Sequence, residues 1–309
     1  SLDGFRRYAL NRFLRIFPLY WVMLALTALT VTLVGPGFSG ELNRAMFMPS
    51  NAGEWLANIS LAYPEFQPTR YLPRLSPSTW ALTIELSFYL LIGLGLSRNA
   101  RITHAWFLTS LGYLLYMNFD RGYLWIRYDQ ILWSSLPFST GALIYHHKEA
   151  IGRLLRRLPA YARPALYAMF LANLVIIAVT PKLSYSLSFY VVPLSAMLNI
   201  ALSALVVATL FHFRPQSAFV QRVDKLGGDL SYPIYLFHWA GACLASWLLF
   251  GGPEKGLNAE GLQTFALALA ITAGVSYFAH RAVNARIDAM RKRIRSNGGR
   301  MSETAQTAA

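Results

Sequence analysis

Charge is scarce in this sequence. Asp, Glu, Lys and Arg make up 14% of the 309 residues, against roughly 25% in a soluble globular domain, and that deficit excludes water as the solvent around most of the chain. Cysteine is scarcer still. Cys243 is the only one and lies inside an apolar run, which excludes a disulfide within the chain and a cysteine-built metal centre. Chemical signatures are missing as well: no glycine-rich phosphate loop, no G-x-S-x-G turn and no H-E-x-x-H occurs, which sets aside P-loop nucleotide hydrolases, α/β hydrolases and zincins. No internal repeat is visible, which argues against a transporter built from duplicated halves. His104, His146, His147, His212 and His280 stand near span ends without tight ligand spacing, so no metal is expected.

What is abundant is apolar: 55% of the residues are hydrophobic and the mean hydropathy is +0.37. Apolar runs lie near 16 to 35, 79 to 96, 102 to 117, 131 to 147, 164 to 180, 189 to 211, 230 to 250 and 263 to 281. Most approach the ~20 residues that a helix rising ~1.5 Å per residue needs to cross ~30 Å of hydrocarbon. The expected fold is an all-α polytopic transmembrane helical bundle of about eight spans, one domain over residues 1 to 300. Residues 301 to 309, small and polar, read as a disordered tail.

The formal charge of +14 would suit nucleic acid if the basic residues shared a face, but they fall between the apolar runs, so no nucleic-acid partner is expected. Arg6, Arg7, Arg12 and Arg15 precede the first run; Lys148, Arg153, Arg156, Arg157 and Arg163 lie between the fourth and fifth; a further basic cluster begins at Arg281. Retention of Lys and Arg on the inner side then predicts both termini in the cytoplasm, and membrane lipid as a partner. Residues 1 to 15, with Phe5, Ala9 and Phe13 opposite the arginines, read as an interfacial helix. The segment from 37 to 78 reads as an outer loop, Pro-rich and far longer than the ~12 to 15 residues of a simple connection. Within it, Trp55 and Ile59 stand four apart between Glu54 and Tyr63, as in an interfacial or re-entrant helix.

Three clusters carry chemistry. Glu85 is the one acidic residue well inside an apolar run, Trp80 to Tyr89. A carboxylate there costs a few kcal/mol and marks either a functional group facing the bundle interior or a structural one bonded to a neighbouring Arg, Tyr or backbone group. Helical spacing puts Ser78, Leu82, Glu85 and Tyr89 on one face. The second cluster is Ser231, Tyr235 and His238, a polar stripe two turns deep in the seventh run, open to a site-lining role or to a satisfied structural histidine. Asp229 and Ser231 are candidate caps for that helix. The third is Arg12 and Arg15, three apart at the mouth of the first span, able to grip phosphate or carboxylate with several donors, or to snorkel to lipid headgroups.

Together these stretches resemble the acyltransferase 3 family of polytopic membrane O-acyltransferases. Arg12, Arg15, Ile16, Pro18, Tyr20 and Trp21 match its R-x-x-R-I-x-P-x-Y-W stretch; Trp80, Leu82, Glu85, Phe88, Tyr89 and Leu90 match W-x-L-x-x-E-x-x-F-Y-L; Ser231, Tyr232, Tyr235, Leu236 and His238 match S-Y-x-x-Y-L-x-H. The resemblance covers residues 5 to about 285. Family members typically have ten spans, with an Arg and a catalytic His in the first. This chain begins with Ser1 rather than Met and aligns from just before the third span, which predicts residues upstream. Near the last span the family often has an acidic residue before a proline, where this chain has Asn284 and Ala285.

The resemblance implies transfer of an acyl group, often acetyl, from acyl-CoA to a hydroxyl of a carbohydrate or lipid-linked glycan, in the cell inner (plasma) membrane. Acyl-CoA is then a donor substrate, and no bound cofactor is implied. Glu85 and His238 are the candidate catalytic residues, His238 orienting donor or acceptor and Glu85 holding acceptor hydroxyls or pairing with an Arg. Arg12 and Arg15 are the candidate donor-binding pair, and Trp80, Tyr89, Ser231, Tyr232 and Tyr235 line the site. The alternatives are a glycolipid or small-molecule transporter, or a truncated inactive homologue.

Overall fold

The computed structural model describes residues 2–62, 74–121, 131–213, 217–284, 286, 287 and 290. Among them every regular element is helical and none is a strand. In chain order the helices are α1 (Leu2–Val34), α2 (Pro36–Leu42), α3 (Ala52–Ser60), α4 (Trp80–Gly93), α5 (Ala100–Arg121) and α6 (Ile131–His146). Then follow α7 (Lys148–Arg157), α8 (Ala162–Leu183), α9 (Tyr185–Phe211), α10 (Ala218–Phe250) and α11 (Ala259–Ala279), the last running into a π turn at His280–Asn284.

Five of these helices are long and apolar enough to cross a membrane: Gly4–Val34, Ala162–Pro181, Ser186–Phe211, Ala218–Phe250 and Ala259–Val283. That is fewer than the expected count of about eight, and the shortfall lies in the second to fourth apolar runs. Helix α4 has 14 residues, about 21 Å of rise against a ~30 Å hydrocarbon layer. Helix α6 has 16 residues and reaches about 24 Å by the same rise. Helix α5 has 22 residues, but Arg101, His104 and Asn118 dilute its apolar content.

Two further boundaries differ from the sequence reading. Residues 2–15 do not form a separate helix but continue through Pro18 into the first span as one 33-residue rod. A proline mid-helix costs one backbone bond, and the residues on either side of it, Ile16, Leu19 and Tyr20, are buried in the core. Helix α10 starts at Ala218, with Ser217 at its N-cap position making no side-chain capping bond, so Asp229 and Ser231 are not caps. They lie about three turns inside, because the Gly227-Gly228 pair does not break the helix.

The chain folds as two compact units, one from residues 1–93 and 216–309 and the other from 94–215. In the first, α1 packs on α10 and α10 along α11, with α4 against α1. Ile16, Leu19, Tyr20 and Met23 of α1 recur at helical spacing and meet Leu236, Phe237, Ala240 and Cys243 of α10 in one buried cluster. A Cβ on Gly93 would come 2.8 Å from the Phe5 ring, so this glycine lets the start of α1 lie directly on α4.

The segment read as an outer loop is part of that core rather than a free excursion. Leu42, Met46, Leu61 and Leu75 are buried in the same cluster. Helix α3 is tied to α1, where Tyr20 donates its hydroxyl to the Asn58 carbonyl and the Trp21 indole donates to the Ile59 carbonyl at 3.0 Å. Ser76 and Ser78 donate to the carbonyls of Leu236 and Tyr235 at 2.8 and 2.9 Å. Residues 63–73 of the segment lie outside the described residues.

In the second unit α8 pairs with α9 and α5 with α6, and α6 also meets α9. Buried polar groups stitch the pairs: the Trp106 indole donates to Ser135 Oγ at 2.8 Å, and Asn173 Nδ2 donates to the Ser195 carbonyl at 2.9 Å. Such bonds hold helices together where lipid offers no competing partner.

Candidate functional site

A cavity of about 640 Å³ opens in the first unit, walled by α1, α4, α10 and the chain after α11. Arg15 from α1, Glu85 from α4, and Ser231, Tyr232 and Tyr235 from α10 line it, together with Asp229 and His280. Residues from all three sequence clusters therefore converge on one space. The reason is the stacking of α1 between α4 and α10, which turns three separate helix faces toward a common point.

Glu85 is half-buried and accepts a hydrogen bond from the Tyr89 hydroxyl one turn further along α4. The Arg12 guanidinium lies 4.4 Å from the centre of the Tyr89 ring and 5.2 Å from that of Tyr8. Arg12 Nε is buried without a hydrogen-bond partner, so the two aromatic faces supply much of what replaces water around this cation. A chain of contacts thus runs from Arg12 through Tyr89 to Glu85.

The two arginines, although three apart, do different things. Arg15 is exposed and faces the cavity, where a mobile guanidinium can meet an anion. Arg12 is not among the lining residues; it is clamped behind Tyr89. Tyr232 and Tyr235 line the cavity but their hydroxyls are committed: Tyr232 donates to the Ile16 carbonyl at 3.1 Å and Tyr235 to the Ser78 carbonyl. They build walls, offering ring faces and edges to whatever enters. Ser231 is exposed, its Oγ donating to the Gly228 carbonyl at 3.0 Å.

Trp80 and His238 stand apart from the cavity lining. Trp80 opens α4, half-buried. His238 is exposed, and its Nδ1 lies 2.9 Å from the Tyr235 carbonyl. The helical stripe of Ser231, Tyr235 and His238 keeps to one face of α10, and what separates its ends is depth, since seven residues rise about 10 Å along the axis. Its last member falls beyond the wall that Tyr235 forms.

What the sequence reading missed is the contact between Asp229 and His280. His280 Nε2 lies 3.6 Å from Asp229 Oδ2, and Lys225 Nζ reaches the same oxygen at 3.4 Å. The signal available in the sequence was Asp229 within the seventh-span motif region and a histidine at the end of the last span. Nothing local pairs residues so far apart. Among the described residues no group of three or more His, Cys, Asp and Glu is placed to hold a metal ion.

The model of the acyltransferase 3 family, described as an acyltransferase domain, matches residues 1–281. No curated protein and no solved structure matches the chain. The matched range takes in both parts of the first unit that wall the cavity, as well as the second unit. The chain belongs to the acyltransferase 3 family.

Proposed function

We propose that this membrane acyltransferase-family protein moves an acyl group, acetyl in the first instance, from acyl-CoA to a hydroxyl of a carbohydrate or lipid-linked glycan in the cell inner membrane. The observation that carries the reading is the meeting of Arg15 and Glu85 in one cavity of about 640 Å³, a cation and a carboxylate brought together from different helices. A donor with several phosphates needs an accessible guanidinium at a cytoplasmic mouth, and Arg15 is placed to give it. The acceptor is an alcohol rich in O–H donors, and the Glu85 carboxylate offers oxygen lone pairs to hold them. Arg12 and Tyr89 act behind Glu85, holding its orientation rather than touching the donor. His238 has its place outside the cavity wall and serves, in this reading, the approach of a lipid-linked acceptor.

The test uses membranes containing the chain, labelled acetyl-CoA and an extract of cell-surface glycan. Label should pass to the glycan, and Glu85→Ala combined with Arg15→Ala should reduce transfer by about a hundredfold or more, the loss of one charge-assisted contact to each substrate. Unchanged labelling by the double variant overturns the reading. Movement of a glycolipid across the membrane without acetyl-CoA would favour the transporter alternative.

A further inference from the structure

The second unit holds a pair of histidines that none of the roles above uses. His104 lies in the second turn of α5 and His147 at the junction of α6 and α7, 43 residues apart in sequence, yet their Nε2 atoms stand 3.3 Å apart. Packing of α5 on α6 brings them to one end of that helix pair. The rings meet edge to face, with centres 5.0 Å apart and planes at 75°. Both side chains are exposed, and both are held from behind. His104 Nδ1 lies 2.7 Å from the Ala100 carbonyl. A carbonyl only accepts, so Nδ1 carries the proton of the neutral ring and Nε2 turns its lone pair toward His147. The His147 backbone is fixed on both sides, its amide donating to the Leu143 carbonyl at 2.9 Å and its carbonyl accepting from the Ile151 amide at 3.0 Å. A separation of 3.3 Å between the two ring nitrogens is beyond the range of about 2.7 to 3.2 Å usual for an N–H donor.

We propose that His104 and His147 form a two-ligand site for a divalent late transition-metal ion such as Zn²⁺, Ni²⁺ or Cu²⁺, their Nε2 atoms binding the ion and water completing its coordination. Nitrogens about 2.0 to 2.1 Å from a tetrahedral ion stand about 3.3 to 3.4 Å from each other, and ring centres about 1.2 Å further out stand about 5.2 Å apart. The observed 3.3 and 5.0 Å lie close to both. The ion takes the place of the proton that His147 Nε2 otherwise has to donate. The Ala100 carbonyl acts as the outer partner that fixes the tautomer and orientation of a ligating imidazole. The donor set decides the class of ion. Imidazole nitrogen suits zinc, nickel and copper, whereas Mg²⁺ and Ca²⁺ need oxygen ligands, and among the described residues no further His, Cys, Asp or Glu joins the pair. The adjacent His146 is committed elsewhere, its Nε2 3.1 Å from the Ser97 carbonyl. The cations beside the pair are Arg101, exposed one turn before His104, and Lys148, whose ammonium lies 5.0 Å from the centre of the Tyr145 ring; they oppose any ion held by charge alone. Once bound, the ion links α5 to the α6–α7 junction and stabilises the folded second unit. The site is independent of the acyl-transfer reading.

The experiment titrates the purified whole chain, free of any histidine tag, in detergent with Zn²⁺ and separately with Cu²⁺. Calorimetry follows binding, and electron paramagnetic resonance follows the copper ligands. One ion per chain should bind with a Kd of about 10 µM or tighter, and the copper spectrum should show splitting from two imidazole nitrogens. His104→Ala and His147→Ala should each weaken binding by about thirtyfold or more and leave at most one nitrogen in the spectrum. Mg²⁺ at about 1 mM should not compete. Zn²⁺ should raise the unfolding temperature of the parent by several degrees and leave that of either variant where it was. Unfolding without metal shows that the variants are folded, and His104→Asn and His147→Asn, which keep a polar group facing the neighbouring ring, replace an alanine variant that is not. His146→Ala should keep the parent affinity within about threefold. The assignment is overturned if the parent binds no Zn²⁺ or Cu²⁺ in this range, if a folded His104 or His147 variant binds within about threefold of the parent, or if His146→Ala loses as much as they do.

Discussion

Arg12, Tyr89 and Glu85 show how much of a site depends on side chains that do not face the substrate. The guanidinium lies against two tyrosine rings, a contact worth about 1 to 2 kcal/mol when shielded from water. Arg12→Lys keeps the charge but loses the planar face that stacks, so it should loosen Tyr89 and lower transfer by several-fold with little change in KM for the donor. Arg15→Ala should act the other way, raising KM for the donor about tenfold or more with a smaller change in kcat. Steady-state rates at varied acetyl-CoA separate the two arginines. Equal KM effects would return both to a shared phosphate grip. Glu85 was legible in the sequence because a lone carboxylate in an apolar run is costly. Its partner Tyr89 was legible too, one turn away on the same face. The division between Arg12 and Arg15 was not, since spacing places both on one side of α1 and only the neighbouring rings of Tyr8 and Tyr89 part them.

Helices α10 and α11 approach each other through small residues. Gly241 faces Thr272, and a Cβ there would lie 2.1 Å from Thr272 Oγ1; Ala268, Thr272 and Ser276 are buried at four-residue spacing along α11. Without a hydrophobic drive between helices in lipid, this close approach is what holds the pair. Gly241→Ala should destabilise the protein by about 1 to 3 kcal/mol, read as a lower unfolding temperature in detergent. Thr272→Ala added to it should recover most of the loss, since the hydroxyl is the nearest obstacle. Helix α3 carries a pH dependence instead. Glu54 accepts from the Ser50 backbone amide at 2.6 Å and from Ser50 Oγ at 2.9 Å, while Asn51 Oδ1 accepts from the Glu54 amide. The Ser50 amide, first among these, holds the Glu54 carboxyl below the usual carboxylate range. A depressed folded value means that the stabilisation is present above the unfolded carboxyl range and is lost as pH falls through the lower folded value. Amide exchange in residues 52–60, corrected for intrinsic rate, should therefore quicken below about pH 4 in the parent and show no such step in Glu54→Gln. The length of α10 was not legible in the sequence: the helix begins at Ala218, twelve residues before the apolar run read from 230, and exposed residues such as Gly227 and Gly228 leave no apolar pattern to mark it.

The division of the chain into units built from 1–93 with 216–309 and from 94–215 groups the elements of the cavity in the first. Its α1, α4 and α10 come from distant parts of the chain. Five helices have the length and composition of spans, and an odd number of crossings would set the termini on opposite sides of the membrane. The basic residues around both ends predict the same side for both termini, which would need an even number of crossings and so at least one beyond these five. Because Cys243 is the only cysteine, a Cys243→Ser background makes the question direct. Ser1→Cys and Ala309→Cys, labelled one at a time with a membrane-impermeant maleimide on intact cells, should both react only after permeabilisation. Reaction of one terminus alone on intact cells would establish an odd number of spans. Apolar runs, their spacing and three short motifs sufficed to read a helical membrane protein of the acyltransferase 3 family, because hydropathy and helical period are local properties of a chain. Which motif residues share a cavity, that His238 falls outside it, and that His280 meets Asp229 were decided only by tertiary packing, since the rotation of one helix against another follows from contacts between residues far apart in sequence.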